Sequence, residues 1–395
     1  MSETILILNA GSSSIKFQLF ATQGGEGLER RLKGEIEGIG TNPHLTAESK
    51  DGRSLIDKSW SAEELGDAAA ALDHVLDWLT QELRGEMPSA VGHRVVHGGS
   101  RFTAPILVDD AVIAGIGALI PLAPLHQPSN LAPIQILRRR LPELPQVACF
   151  DTAFHRGHPA VADHFAIPEA LYEEGVRRYG FHGLSYEYIA SALPKVAPAL
   201  AAGRVIVPHL GNGASICALK AGRSIDSTMA FTALDGLPMG TRAGQLDPGV
   251  LLYLVRKGWD AARLERFLYH ECGLKGLSGL SNDMRDLLAV DAPAARLAVD
   301  YFVYRIIREA GALAAVLGGL DGIVFTAGIG ERSAEIRSRV SAGLAWLGLD
   351  LDESANSRHG PEITKAGSRV QAWVIPTDEE RMIARHTRKL LDGAF

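Results

Sequence analysis

Three short turns rich in glycine, serine and asparagine each follow an apolar segment of this 395-residue chain, at residues 11–14, 211–213 and 328–330. Glycine lets the backbone approach a ligand closely, and serine and asparagine add hydrogen-bonding side chains. A concave group of backbone N–H donors at such a turn binds anions, phosphate above all. One turn of this kind is usually only a turn, but three together predict nucleotide binding.

The familiar signatures of other nucleotide-binding and hydrolytic enzymes are missing. The chain contains no GxxxxGK[ST] P-loop, no GxGxxG after a predicted strand and no protein-kinase motif set. It also lacks the GxSxG turn of serine hydrolases. The sequence therefore indicates a nucleotide-binding protein outside those classes.

Strands and helices must position these turns. Apolar runs and period-two alternation predict strands at residues 5–9, 15–19, 91–96, 146–151, 205–207, 216–219, 322–325 and 370–375. Apolar residues at helical spacing predict helices at 68–83, 295–317 and 380–391, and another after residue 332 that aligns Ile336, Val340 and Leu344. The segment 121–133, PLAPLHQPSNLAP, is too rich in proline to be predicted as a helix.

Two distant segments share one pattern. Residues 5–20, ILILNAGSSSIKFQLF, and residues 205–220, VIVPHLGNGASICALK, both read as an apolar strand, a tight turn and a second apolar strand. The match predicts two copies of one architecture, each offering a turn toward a common cleft. The alternative is that two hairpins resemble each other by chance.

Size and charge limit the possible classes of protein. A chain of 395 residues is too long for one ordinary core, so two domains are expected. The net charge of −6, with no basic tail, argues against a protein that grips nucleic acid through its phosphates. The N-terminus lacks the features of a signal peptide, and glycines interrupt the most apolar helical stretch, 310–320, so no membrane segment is expected.

The cysteines indicate the compartment. Cys149, Cys217 and Cys272 lie far apart, and no CxxC spacing occurs. Neither a zinc site nor a disulfide framework is therefore expected, and the pattern favours a reducing cytoplasm.

Ten segments in this order resemble the acetate kinase (acetokinase) family of the sugar kinase, Hsp70 and actin superfamily: LILNAGSSSIK, GHRVVHGG, PLAPLHQP, FDTAFH, RYGFHGLS, HLGNGAS, GLPMGTRAGQLDPG, SNDMRDL, FTAGIGE and PTDEERMIARHT. The resemblance implies an α/β fold of two duplicated actin-like ATPase (ribonuclease H-like) domains with a nucleotide cleft between them, and a homodimer. It implies an N-terminal domain of residues 1–155 plus 382–395 and a C-terminal nucleotide-binding domain of residues 156–381.

The same resemblance implies reversible phosphoryl transfer from ATP to acetate, with Mg²⁺ or alternatively Mn²⁺, giving ADP and acetyl phosphate by direct in-line transfer. Acetate is already ionised at neutral pH, because a free carboxyl group titrates near ~4. The enzyme must therefore bring two anions together and neutralise the phosphoryl oxygens rather than remove a proton. A site rich in cations and hydrogen-bond donors is expected.

Four residues match the family's catalytic positions: Arg94, Asp151, His182 and Arg242. A guanidinium binds a carboxylate or phosphate by two parallel bonds, so Arg94 is expected to hold acetate or the incoming phosphoryl oxygens, with Arg242 acting from the other side. His182 is expected to contact the phosphoryl group in flight. We expect Asp151 to orient Arg94 or a water on Mg²⁺; the alternative is that it transfers a proton.

The resemblance also assigns the metal and nucleotide contacts. Mg²⁺ is assigned to Asn9 and Glu379, with Glu379 chosen over Glu380 by motif register alone. Lys16 is expected to face the nucleotide phosphates, and the backbone of 328–330 to lie flat against adenine and ribose. The remaining ATP-contacting positions are matched by His209, Leu210, Gly211, Asn212, Gly213, Asp283, Met284, Arg285, Gly328, Ile329, Gly330, Glu331 and Arg332.

The acyl pocket is expected to be small and apolar. Substrate-binding positions are matched by Val96, Leu125, His126 and Phe181, and Ala233 stands where the family commonly has proline, which leaves room for propionate. The other departures from the family pattern are Gln127 for Asn, Leu184 for Thr, Tyr186 for His, Ala243 for Ser, Gln245 for Asp and Arg332 for Asn, and Arg332 leaves the choice of nucleotide open.

Two alternatives stay open at this point. One is a propionate or butyrate kinase of the same family. The other is a non-catalytic nucleotide switch like the Hsp70 relatives, but the chain has no spare segment for a peptide-binding domain, and Arg94, Asp151 and Arg242 would have no purpose in it.

Overall fold

The computed structural model describes residues 3–11, 13–23 and 27–393. The chain divides into two compact units, unit 1 up to Phe154 and from Asp378 onward, and unit 2 at His155–Thr377. The second division falls four residues before the predicted boundary at 381/382, so residues 378–381 belong to unit 1. Ser12 of the predicted 11–14 turn, and the predicted outer bounds of the N-terminal domain at Met1 and Phe395, lie outside the described residues.

Unit 1 begins with a long sheet. Its strands are β1 (Thr4–Ala10), β2 (Ser14–Thr22), β3 (Leu28–Glu37), β4 (His44–Ser49), β5 (Ser54–Ser59), β6 (Ala90–Val95), β7 (Ile106–Leu107) and β8 (Gln146–Phe150). Its helices before unit 2 are α1 (Ala68–Glu82), α2 (Asp110–Ala118) and α3 (Gln127–Arg140), with a short 3₁₀ turn at Ile120–Leu122.

The strand order in this sheet is β5-β4-β3-β2-β1-β6-β8-β7. β1 and β2 pair antiparallel, as the predicted hairpin requires, and Ile15, Phe17 and Leu19 of β2 are buried in alternation. β1, β6 and β8 run parallel, so their carboxyl ends meet at one edge of the sheet. That edge carries Asn9, Arg94 and Asp151.

Unit 2 contains strands β9 (Arg204–Leu210), β10 (Ala214–Lys220), β11 (Arg223–Ser227), β12 (Gly322–Phe325) and β13 (Gln371–Val374). Its helices are α4 (Ala160–Asp163), α5 (Glu169–Glu173), α6 (Gly183–Val196), α7 (Pro198–Ala201), α8 (Pro248–Arg256), α9 (Ala261–Arg266), α10 (Gly273–Ser278), α11 (Met284–Ala289), α12 (Pro293–Leu317), α13 (Ala327–Arg332), α14 (Ala334–Gly343) and α15 (Glu353–Ser357). The last helix, α16 (Glu379–Leu391), belongs to unit 1.

The two sheets repeat one topology. The order in unit 2 is β11-β10-β9-β12-β13, with β9 antiparallel to β10 and parallel to β12. The inner part of the unit 1 sheet, β3-β2-β1-β6-β8, has the same order and the same strand directions. The similarity of residues 5–20 and 205–220 therefore reflects a shared architecture rather than a chance match of two hairpins.

Two predictions about local structure are wrong. Residues 127–133 form the first half of α3, because Pro128 occupies the first helical turn, where no N–H bond is lost, and the helix buries Leu131, Ile134 and Leu137 around the interior Pro133. The segment 328–330 is not a turn but lies within the short helix α13.

Strands β3, β4 and β5 were not predicted. β3 reads LERRLKGEIE, and its charged residues conceal the alternation that buries Leu32 and Ile36.

Among the described residues, no helix has both the length and the hydropathy that a membrane crossing requires.

Candidate active site

Five side chains gather at the carboxyl edge of the unit 1 sheet; we call them the carboxylate–arginine cluster. They are Asn9 of β1, Arg94 of β6, Asp151 directly after β8, and Glu379 and Glu380 in the first turn of α16. Asp378 caps this helix by accepting the N–H of Arg381. Residues from opposite ends of the sequence thus form one group within unit 1.

Arg94 is the centre of this cluster. Its Nη2 and Nε donate to the two oxygens of Asp151 at 2.6 and 3.0 Å, a bidentate arrangement, and its Nη1 donates to Asn9 Oδ1 at 3.3 Å. The Asp151 side chain is only 2% exposed, whereas that of Arg94 is 22% exposed. Burial works against the charge on Arg94, but Asp151 and Glu379 outweigh it and raise the pKa of the guanidinium. Arg94 is a fixed cation that retains some exposed surface.

Glu379 has a strongly shifted acidity. Its Oε2 lies 3.8 Å from Arg94 Nε. Burial raises the pKa of Glu379 to about 7; Arg94 opposes the shift, and Asp151 and Glu380 add to it. The neighbouring Glu380 accepts a bond from Asn9 Nδ2 at 3.4 Å. Three carboxyl groups thus surround one guanidinium, which favours an additional cation here.

Lys16 lies on the same sheet face as Asn9, because the two residues are paired across β1 and β2. Its side chain is 55% exposed and lies 3.9 Å from Glu35. Lys16 and Glu380 line the same open groove on the unit 1 sheet. The ammonium is therefore placed to reach an anion near this cluster.

In unit 2, His182 and His209 form a stacked pair; we call it the imidazole pair. Their ring centroids are 4.2 Å apart and the planes differ by 16°. His182 Nδ1 lies 2.7 Å from Ser215 Oγ, and His209 Nδ1 lies 2.8 Å from Ser185 Oγ. Each ring is therefore held at Nδ1 by a buried serine of a different element, which fixes both ring planes.

Arg242 lies beside the imidazole pair. A Cβ added to Gly213 would stand 2.8 Å from Arg242 Nη2 and 3.5 Å from His182 Nε2, so both side chains approach the β9–β10 turn. Arg242 Nη1 donates to the carbonyl of Ala233 at 2.8 Å, and burial lowers the pKa of the guanidinium. Within the described part of the chain, Arg242 forms no ion pair with a carboxylate.

A cavity of about 520 Å³ in unit 2 lies beside these groups. Eight of the residues predicted to contact ATP line it: Gly211, Asn212, Asp283, Met284, Arg285, Gly328, Ile329 and Arg332. Sequence reasoning missed Asn282, Leu288 and Ser333, which also line it. Asn282 lies inside the SNDMRDL motif and could have been found there; Ser333 also accepts the Ile336 N–H as the cap of α14.

The remaining predicted nucleotide residues have other surroundings. Leu210 is buried, and a Cβ added to Gly330 would stand 3.5 Å from the backbone of Phe325. Glu331 accepts the N–H groups of Ala327 and Thr377 at 2.8 and 3.1 Å. At the other end of α13, the buried Arg337 donates to the carbonyls of Gly330 and Glu331, each at 2.9 Å. A carboxylate thus binds the N-terminus of this short helix and a guanidinium binds its C-terminus, which is the arrangement that the helix dipole favours.

The predicted acyl-pocket residues belong to both units. Val96, Leu125 and His126 lie in unit 1 between β6 and α3, where Asn130 accepts the Val96 N–H at 2.8 Å. In unit 2, Phe181 immediately precedes His182, and Ala233 accepts the bond from Arg242. Phe181, Val96 and Ala233 are buried, which suits an apolar lining.

His155, near this site, leads to a prediction about acid stability. Its Nε2 donates to the carbonyl of Phe181 at 2.9 Å, and burial lowers its pKa from 6.5 to about 4. The unfolded chain protonates this imidazole near pH 6.5, but the folded chain does so only near pH 4. The contribution of His155 to the free energy of unfolding is therefore complete above pH 6.5 and decreases by about 3 kcal/mol as the pH falls to 4.

We expect His155→Gln to make the urea midpoint depend less steeply on pH across this range. The exposed His270, changed to Gln, is the control; an unchanged slope in H155Q would contradict the assignment.

Comparison with known proteins extends over nearly the whole chain. The model of the acetokinase family matches residues 4–385. An acetate kinase from Nitrobacter hamburgensis is 60% identical over 390 residues, which cover 98% of this chain and 96% of that protein. A solved propionate kinase from Francisella tularensis subsp. tularensis SCHU S4 has 37% identity and a TM-score of 0.91, covering 98% of this chain and 99% of the other. A solved acetate kinase from Porphyromonas gingivalis has 36% identity and a TM-score of 0.87, covering 99% and 100%. The predicted actin-like α/β fold class is confirmed.

Proposed function

The chain belongs to the acetokinase family, a family of phosphotransferases acting on a carboxylate, and we propose that it catalyses reversible, Mg²⁺-dependent transfer of the terminal phosphoryl group of ATP to acetate. The products are ADP and acetyl phosphate, formed by direct in-line transfer. The proposal assigns residues of both units to one reaction. A non-catalytic nucleotide switch is not favoured, because it gives no purpose to the arginines of either unit.

The observation that carries the proposal is Arg242. A partly buried guanidinium that has a carbonyl but, among the described residues, no carboxylate as partner is suited to receive an anion from outside the chain. His182 lies beside it at the β9–β10 turn. Arg242 and His182 therefore serve as donors to the phosphoryl oxygens, where charge accumulates during transfer.

Arg94 is assigned to the acetate carboxylate and the incoming phosphoryl oxygens. Its bidentate bonds to Asp151 support the view that Asp151 orients this guanidinium. Acetate is already ionised, so the reaction needs no strong base. Asp151→Asn is expected to lower the rate without adding a new ionisation to the pH–rate profile; a new ionisation would restore proton transfer as its role.

Asn9 and Glu379 fit Mg²⁺. The ion prefers oxygen ligands and keeps several waters, so one carboxylate and one amide suffice to bind it. Among the described residues, no group of three or more His, Cys, Asp or Glu side chains is arranged to hold a metal ion. Three carboxyl groups around Arg94 attract a cation. When bound, Mg²⁺ neutralises charge on the phosphates. The protein's part is to hold the carboxylate and amide oxygens ready.

The metal assignment leads to a paired prediction. Glu379→Gln is expected to raise the Mg²⁺ concentration needed for half-maximal rate by about tenfold or more, because one ligand charge is lost. Glu380→Gln, at the adjacent position, is the matched control and is expected to change it by less than about threefold. Titrating Mg²⁺ in the acetate assay measures both; the reverse order would transfer the metal assignment to Glu380.

The cavity of unit 2 is proposed to receive the nucleoside of ATP. Its glycines leave backbone accessible, and Met284 and Ile329 provide apolar surface for a base. Asp283 and Arg285 bind each other at 2.6 Å at the rim, where ribose hydroxyls would meet them. Arg332, also at the cavity, lies within reach of a bound nucleotide.

Propionate is the second candidate acceptor. Ala233 replaces the proline common in the family, and a solved propionate kinase is similar over nearly the whole chain. One methylene changes transition-state binding by only ~1–3 kcal/mol, so both acids are expected to react. Measuring kcat/KM for acetate, propionate and butyrate decides the order, and a clear preference for butyrate would overturn the acetate assignment.

A homodimer is also proposed, with α8 as the candidate contact. This helix has no buried residue, and Val250, Leu252, Tyr253 and Val255 expose apolar surface. A second copy of the chain would cover that surface. Light scattering should give twice the chain mass for the wild type; Leu252→Glu would shift it toward the monomer.

A cytoplasmic location is proposed as well. All three cysteines are buried, and Cys217 and Cys272 have pKa values raised by burial, so their thiols are unreactive rather than paired for an oxidising compartment. Cell fractionation tests this.

The function itself is tested by trapping acetyl phosphate as its hydroxamate in the presence of ATP, Mg²⁺ and acetate. We expect hydroxamate that depends on all three components. Its absence, in a preparation that is folded by circular dichroism, would refute the proposed reaction.

A further inference from the structure

A buried hydroxyl pair lies behind His182. Ser215 Oγ is 2.7 Å from His182 Nδ1 and also within hydrogen-bond distance of Tyr186 Oη. Ser215 and Tyr186 are both fully buried. Ser215 belongs to β10 and Tyr186 to the first turn of α6, which follows His182. The chain of three groups thus runs from the interior of unit 2 to the imidazole pair.

The protons in this chain can be assigned. Ser215 has one hydroxyl proton, and its Oγ lies between His182 and Tyr186. A phenol is more acidic than an aliphatic hydroxyl, so we assign Tyr186 as the donor to Ser215 and Ser215 as the donor to His182 Nδ1. A ring that accepts at Nδ1 carries its proton on Nε2. The ring then presents an N–H donor at Nε2.

The direction of that donor is defined by the neighbouring residues. His182 Nε2 lies toward the β9–β10 turn, 3.5 Å from where a Cβ of Gly213 would stand, on the side where Arg242 also approaches. Stacking on His209, itself held by Ser185 at 2.8 Å, prevents rotation of the ring out of this plane. His182 is also the N-terminal cap of α6, and its backbone lies in the left-handed region with a φ of 57°. This conformation is uncommon and costly for a residue other than glycine, so the surrounding structure must hold it in place.

We propose that Tyr186 is a positioning residue that acts through Ser215 to hold His182 in the Nε2–H form, ready to donate to the transferred phosphoryl group. The inference rests on the proposed function, in which His182 meets that group. It also gives a role to Tyr186, which stands where the family pattern has histidine. A tyrosine that served only for packing would need its ring, but it would not need a hydroxyl group that hydrogen-bonds to Ser215.

The first experiment uses the unaltered protein. Nitrogen NMR of the histidine rings distinguishes a protonated Nε2 from a protonated Nδ1, with His182→Gln used to assign the signal. We expect the Nε2–H form for His182 at neutral pH. The Nδ1–H form in the wild type would overturn the proposal without reference to any activity.

The second experiment uses Tyr186→Phe, which keeps the ring and removes the hydroxyl. We expect kcat to fall about 10- to 100-fold while KM for ATP and acetate stays within about twofold, because the substrates still bind but the donor is misplaced. Tyr186→His, which restores a donor, should recover much of the loss. Tyr188→Phe, on the same helix, is the matched control.

A double-mutant cycle separates positioning from packing. In a Ser215→Ala background, Tyr186→Phe should have almost no further effect on kcat, because its route to His182 is already removed. Additive losses, or a Tyr186→Phe variant with wild-type kcat and an unchanged His182 signal, would refute the role. If the wild type makes no acetyl hydroxamate, the proposed function fails, while the NMR result still decides the hydrogen-bond chain.

Discussion

Replacing Arg94 by alanine is expected to lower kcat/KM for acetate by about 10³-fold, the largest effect we expect of any single substitution in unit 1. The guanidinium is the only cation bound directly to Asp151 among the described residues. Without it, the acetate carboxylate would lose the cation that the proposal assigns to it. The same change leaves Asp151, 2% exposed, without its counter-ion, at a cost of about 3–5 kcal/mol in the free energy of unfolding. Steady-state kinetics and urea unfolding measure the two effects.

Two further variants separate catalysis from stability. Arg94→Ala combined with Asp151→Ala removes the buried unpaired charge, so it should recover most of the lost urea midpoint but none of the activity. Arg94→Lys keeps the charge but not the fork, and should lie between the wild type and the alanine variant in kcat/KM. If the double variant regained activity, or if Arg94→Ala retained wild-type kcat/KM in a folded protein, the assignment of Arg94 to acetate would be wrong.

Gly328→Val is expected to raise KM for ATP about 30- to 100-fold and to leave the acetate KM and the urea midpoint nearly unchanged. Apart from its chain neighbours and the backbone of its own helix, no atom of the described residues lies within 4 Å of where a Cβ at residue 328 would stand. Its φ is not in the left-handed region either, so the fold accepts a side chain. The added valine would occupy part of the 520 Å³ cavity instead. Losing close contact with a nucleoside is worth about 2–3 kcal/mol, which corresponds to that change in KM.

Gly157→Val is the matched control for this prediction. Gly157 is exposed and does not line the cavity. A Cβ placed on it would likewise meet no described atom within 4 Å apart from its chain neighbours. Isothermal titration with ADP gives a direct measure of binding that does not depend on turnover. Unchanged nucleotide affinity in G328V would place the nucleoside elsewhere, and a lowered urea midpoint would show that residue 328 serves the fold rather than a ligand.

Short-range patterns in the sequence were sufficient for the central strands and for the residues at their ends. β1, β9 and β12 have apolar runs whose ends are marked by polar or glycine residues, so their bounds could be read within a few residues. Parallel β1, β6 and β8 must present their carboxyl ends at one edge, which explains why Asn9, Arg94 and Asp151 form one cluster. The similarity of the two hairpins likewise predicted two copies of one architecture, and the strand orders of the two sheets agree with it.

Other features depended on contacts that no short window of sequence contains. The helix at 127–140 forms in spite of its prolines because it buries Leu131, Ile134 and Leu137, and burial outweighs propensity. The segment 327–332 is helical because Glu331 and Arg337 satisfy its two ends. Tyr186 was only a departure from a family pattern until β10 brought Ser215 between it and His182.

The amino-acid sequence by itself determined the family, the two-part α/β architecture and the identity of the charged groups, because motifs and hydrophobic periodicity are local properties of the chain. Only the tertiary structure decided which of those groups share protons, which are held at fixed angles, and which backbone positions are open to a ligand. Hydrogen bonds and burial depend on distances of a few ångströms between residues far apart in sequence, and those distances exist only after the sheets and helices have packed.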